Sequence, residues 1–131
     1  MAINLRRKAY DKLLKWKEES AGSSAILING ARRVGKSHLA QEFAEMEYKA
    51  HVLIDFSDDE NEIAGFFREG KWKSKDFLEY IEVASGKVLP ERDTVIIFDE
   101  VQLCPEARQM IKHLVSDGRY DYIETGSLLS I

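Results

Sequence analysis

From Gly30 to Ser37 the sequence reads Gly-Ala-Arg-Arg-Val-Gly-Lys-Ser, which matches the pattern G-x-x-x-x-G-K-[ST] in full. In that geometry successive backbone N–H groups point into a concavity that holds phosphate oxygens, and the helix that follows adds the positive end of its dipole. Glycine lets the backbone come close enough. Lys36 is then placed to reach the β- and γ-phosphates of a nucleotide, and the Ser37 hydroxyl to coordinate Mg²⁺. The side chains of Arg32 and Arg33 are not required by this chemistry, and they are free to approach phosphate or a neighbouring subunit.

A second constellation, Val95-Ile96-Ile97-Phe98-Asp99-Glu100, follows about 60 residues later. An apolar strand ending in two adjacent carboxylates divides labour naturally: Asp99 serves the Mg²⁺ shell, and Glu100 takes a proton from an attacking water. The third is Glu124-Thr125-Gly126-Ser127. If the strand carrying it lies between the first and the third, Thr125 and Ser127 emerge beside the γ-phosphate, where a hydroxyl positions water or reports nucleotide state. The competing reading has these hydroxyls capping a turn. Gln102 has two readings as well, a hydrogen bond within the site or a position in solvent.

These residues need strands to present them and a helix to follow the first turn. Ala25 to Asn29 is a short apolar run suited to a buried strand, and Leu39, Ala40, Phe43 and Met46 supply one face of a helix after it. Upstream, Leu5, Ala9, Leu13 and Trp16 recur at helical spacing from Asn4 to about Glu19, and Ser20 to Ser24 reads as a linker. His51 to Phe56 is a second strand, followed by an acidic solvated loop from Ser57 to Glu62. Short helices are expected at Glu62 to Arg68 and at Asp76 to Ala84. Thr94 to Phe98 is apolar and β-branched almost throughout, as a strand buried on both faces of a parallel sheet must be. Pro105 suits a first helical position, the stripe Ala107, Met110, Ile111, Leu114 and Val115 runs toward Gly118, and Tyr120 to Thr125 is the fourth strand. Strands alternating with helices predict an α/β doubly wound domain.

The 131 residues suffice for one domain, and 44% hydrophobic with 32% charged residues is the balance of a globular chain. No apolar run approaches the roughly 20 residues that span a bilayer, and the N-terminus lacks the apolar core of a signal peptide, so the expected location is cytoplasmic, with no membrane contact. The net charge of -4 argues against a nucleic-acid partner. The basic run on the first helix, Arg6, Arg7, Lys8, Lys12, Lys15 and Lys17, is expected to be a solvated face, and Lys71-Trp72-Lys73-Ser74-Lys75 is too short a patch to alter that balance. Cys104 has no partner for a disulfide and is read as a packing residue. His51 and His113 have no companion at metal-ligand spacing.

Gly30 to Ser37, then Phe98-Asp99-Glu100-Val101-Gln102-Leu103-Cys104-Pro105, then Thr125-Gly126-Ser127-Leu128-Leu129 resemble a large bacterial and archaeal group of AAA+ ATPases, as do Tyr10-Asp11-Lys12-Leu13-Leu14 and Trp16-Lys17. In that group the ATPase core precedes an uncharacterised C-terminal domain. The resemblance implies a P-loop NTPase fold, a three-layer αβα sandwich with a mostly parallel sheet in the order 5-1-4-3-2. Here it would run 1-4-3-2, the fifth strand lying beyond Ile131 in a chain read as truncated, with residues 1–24 as helix and linker and 25–131 as the nucleotide-binding region. It further implies ATP and Mg²⁺ as ligands. Nucleotide contacts would come from Gly30, Ala31, Arg32, Arg33, Val34, Gly35, Lys36, Ser37 and His38, although the His38 side chain is expected to face solvent. The metal would fall to Ser37 and Asp99, and catalysis to Glu100 and Lys36, with Thr125 or Ser127 at a sensor position.

The function expected is therefore Mg²⁺-dependent ATP hydrolysis that drives or switches a protein partner, in a chain able to form homo-oligomers. The short chain is expected to turn ATP over slowly, for want of an arginine placed at the γ-phosphate. A nucleotide-dependent switch without turnover is the alternative, and a small-molecule kinase on the same loop ranks below it, since the Asp-Glu pair suits water and no arginine-rich lid is evident.

Overall fold

The computed structural model describes residues 2–30, 35–70 and 73–127, with side chains from Arg6 onward. Of the residues singled out above, Ala31 to Val34, Lys71, Trp72, Leu128 and Leu129 lie outside the described residues, as does the side chain of Leu5.

Among the described residues four strands, β1 (Ile26–Gly30), β2 (Ala50–Asp55), β3 (Thr94–Asp99) and β4 (Asp121–Ser127), form a parallel sheet in the order β1-β4-β3-β2. Both central strands are buried along their whole length, the state that near-continuous apolar runs such as Thr94 to Phe98 require. Among the described residues five α-helices connect or precede the strands: α1 (Ala2–Ser20), α2 (Lys36–Glu47), α3 (Glu62–Arg68), α4 (Ser74–Ser85) and α5 (Pro105–Asp117). Pro105 begins α5, where its missing N–H is not needed. Asn61 caps α3, its side-chain oxygen accepting from the N–H groups of Ile63 and Ala64 at 2.9 and 3.1 Å.

Strand alternation sorts the core into two layers. Val95, Ile97 and Ile123 pack against Leu39, Ala40 and Phe43 of α2 and Leu13 of α1. Ile54, Ile96, Phe98 and Tyr122 face the other way, onto α3, α4 and α5, where Phe56, Phe67, Phe77 and Phe98 meet edge-on or tilted with centroids 4.6–6.4 Å apart. The buried Cys104 belongs to this second layer, and burial pushes its thiol pKa up.

The sequence reading differs from the fold at several boundaries. β3 and β4 each run further than expected, through Asp99 and Ser127, because those polar ends are still paired in the sheet or held by buried side chains. A 3₁₀ turn at Val101–Leu103 follows β3 without any composition signal. The basic face of α1 is not wholly solvated either: Arg6 pairs with Glu42 of α2.

Candidate functional site

Alternation along β3 and β4 carries Asp99, Thr125 and Ser127 to the α2 side of the sheet, at the carboxyl ends of adjacent strands. The N-terminus of α2 meets them there. Gly35 precedes the helix with φ 79° and ψ 20°, the left-handed region that glycine enters without a Cβ penalty. Lys36 and Ser37 then open the helix.

The hydroxyl of Ser37 donates to Asp99 Oδ1 at 2.5 Å, and that of Thr125 donates to the same oxygen at 2.6 Å. Thr125 Oγ1 also accepts the Glu100 N–H at 3.0 Å, so one side chain ties the ends of β3 and β4 together. Lys36 is 7% exposed; its Nζ donates to Ser127 Oγ at 3.1 Å and lies 3.5 Å from Glu100 Oε2. Ser127 in turn donates to Glu100 Oε1 at 2.7 Å. The two hydroxyls are thus strand residues bonded into the cluster, and Thr125 also holds the backbone where the turn after β3 begins.

Continued alternation would send Glu100 to the opposite face from Asp99. Its backbone instead turns left-handed, φ 56° and ψ 48°, and its carboxylate meets Ser127 and Lys36. For a residue with a Cβ that conformation costs about 1–2 kcal/mol, which the cluster must offset. Gln102 completes the set, its Nε2 donating to Glu100 Oε1 at 3.1 Å, so of its two readings the one within the site holds. Burial pushes the Glu100 pKa up, but the hydrogen bonds from Ser127 and Gln102 and the charge of Lys36 together outweigh it, and the carboxyl lies below its ordinary value.

An open cleft of about 490 Å³ lies against these groups, lined by Gly35, Lys36, Ser37, His38, Ser57, Asp99 and Glu100. His38 is exposed at its rim. Gly30 ends β1 in register with Ser127. Ala31, Arg32, Arg33 and Val34 lie outside the described residues.

The sequence reading missed two contributors. Ser57 was placed in a solvated loop but lines the cleft, its hydroxyl donating to Asp55 Oδ1 at 2.6 Å. The available signal was its place just after a strand that pairs with β3, Asp55 being in register with Asp99. Arg6 is the other: a Cβ added to Gly35 would stand 3.7 Å from its Nη1, which puts a guanidinium beside Gly35. No periodicity within α1 points to that contact.

The hydroxyl of Ser37 and the carboxylate of Asp99 are hard oxygen donors converging on one point, which fits Mg²⁺. Among the described residues no three His, Cys, Asp or Glu side chains gather around a common point. No helix of the described residues is long and apolar enough to cross a membrane.

The family described as AAA domain matches residues 22–131. No curated protein and no solved structure matches the chain.

Proposed function

The chain belongs to the AAA domain family, whose members carry a nucleotide-binding domain of this type, and from that premise we propose that it binds ATP with Mg²⁺ at the β1–α2 turn and hydrolyses it. The observation that supports this most is the meeting of Lys36 and Ser37 with Asp99, Glu100, Thr125 and Ser127, side chains brought together from 62 to 91 positions apart. The first pair belongs to the Walker A pattern and the second to Walker B.

In this reading the backbone around Gly35 and the dipole of α2 hold the β- and γ-phosphates, and Lys36 supplies the cation beside them. Ser37 and Asp99 would hold Mg²⁺, which neutralises charge that develops on the transferred phosphoryl group. Glu100 orients a water and takes its proton. Its lowered pKa keeps it ionised, and hence able to accept, throughout the neutral range. Thr125 fixes Asp99 by donating to it, and Ser127 lies between Lys36 and Glu100, placed to sense which of them is engaged. The need for ATP and the lone buried Cys104 fit a cytoplasmic setting. The task is to drive or switch a protein partner, or a second copy of the chain.

Phosphate release from Mg²⁺-ATP, with and without small-molecule acceptors, tests the proposal. Release to water that disappears in both Lys36→Ala and Glu100→Gln is expected. Binding without any release would leave the switch reading in its place, and transfer to an acceptor would leave the kinase.

A further inference from the structure

We infer that Gln102 is a positioning residue for Glu100, held over the backbone of Gly126 with its amide donating to the carboxylate. This rests on the reading of Glu100 as the group that activates water.

Gly126 sits within β4, on the face opposite Thr125 and Ser127, and it is not among the glycines with positive φ. Glycine is therefore not needed there for its backbone freedom. Glycine leaves that face open, and the Gln102 amide packs onto it: a Cβ would stand 3.4 Å from Gln102 Oε1, 3.7 Å from Leu27 Cδ1 and 3.9 Å from Asn29 Oδ1, at van der Waals contact. The turn at Val101–Leu103, closed by the Leu103 N–H donating to the Glu100 carbonyl at 3.1 Å, brings the Gln102 side chain back over that opening. From there its amide reaches the carboxylate two residues earlier.

The amide has one orientation. An oxygen turned toward the carboxylate would repel it, so the nitrogen faces Glu100 and Oε1 faces the Gly126 backbone, buried and without a hydrogen-bond partner among the described residues. A buried glutamine kept for stability alone would be expected to satisfy both ends. Here a buried acceptor is left unmet while a donor is delivered to one carboxylate oxygen. The other two donors, Ser127 and Lys36, come from β4 and the start of α2, and in the function proposed above Lys36 is the group that a nucleotide engages. Gln102 comes from Glu100's own turn, so its hold does not depend on what Lys36 is bound to.

The test uses Gln102→Leu, Gln102→Glu and Glu100→Gln, with ATP hydrolysis followed by steady-state kinetics at one neutral pH and ATP binding by calorimetry. In Gln102→Leu, kcat falls about tenfold with KM changed less than about twofold, since the interaction serves the transition state more than binding. Gln102→Glu replaces the donor by a second carboxylate, and kcat falls at least as far while ATP binds as tightly as to the parent. A kcat in Gln102→Leu equal to the parent's overturns the inference, as does a loss carried by KM alone. If instead Glu100→Gln hydrolyses ATP as the parent does, the water-activation reading falls and the inference with it, whereas an inactive Glu100→Gln beside a fully active Gln102→Leu sinks the inference alone.

Discussion

At Lys36 a buried ammonium faces Ser127 and Glu100 beside the cleft. Lys36→Ala removes the cation proposed to meet the β- and γ-phosphates, and calorimetry should show ATP binding weakened at least about tenfold, or about 1.4 kcal/mol. Equal affinity would take the nucleotide away from this turn. Glu100→Gln keeps the shape and the donors' neighbourhood but cannot accept a proton, so ATP binding should stay near the parent's while phosphate release is lost. The pH dependence follows from the same carboxyl. Its folded-state pKa lies below its unfolded value, so its contribution to stability is complete above the unfolded value of about 4.3 and is lost as pH falls through the folded one. On acidification below about pH 5, the parent should lose more stability than Glu100→Gln, measured by denaturant unfolding at each pH. Parallel losses would mean that the carboxylate is not held as described.

The elements place these side chains by periodicity. Two-residue alternation in β3 and β4 sets Asp99, Thr125 and Ser127 on one face, and the layer of α2 against that face sets Lys36 and Ser37 opposite them. A slip of one residue in either strand would turn the hydroxyls into the aromatic layer on the other side. The second layer depends on a short helix, α3, whose Phe66 and Phe67 are buried, and Asn61 holds its first turn. Asn61→Ala should lower stability by about 1 kcal/mol, seen as a lower urea midpoint with an unchanged slope. A midpoint equal to the parent's would show that packing alone sets the start of this helix.

At the scale of the whole molecule, ligand binding and the sheet edges both have measurable consequences. A ligand that binds only the folded chain raises its stability by about 2.7 kcal/mol at one hundred times Kd. Mg²⁺-ATP should therefore raise the melting temperature of the parent, and at the same concentration that of Lys36→Ala by about half as much or less. Among the described residues β1 is an edge of the sheet, and Leu27 on it is 37% exposed. Such an edge is a template for pairing with another chain. Concentration-dependent self-association by light scattering is expected, and it should weaken in Leu27→Lys, where charge disfavours edge pairing. A parent that stays monomeric at high concentration would argue that the edge is not used.

Local signals determined much of this protein. The glycine spacing before Lys36 and Ser37, the apolar run ending at Asp99, and the alternation of strand and helix patterns all act over a few residues, and each had a physical reason legible in the sequence. The parallel order β1-β4-β3-β2 came from resemblance rather than from any residue pattern, and the fold agrees with it. Other features were decided only when distant segments met. The left-handed turn at Glu100, the approach of Gln102 over Gly126, the guanidinium of Arg6 beside Gly35 and the entry of Ser57 into the cleft have no periodicity to announce them. Each depends on space and charge supplied by segments far apart in sequence, or on a backbone bend that propensity disfavours, and such terms exist only once the sheet and its two helix layers have closed around the site.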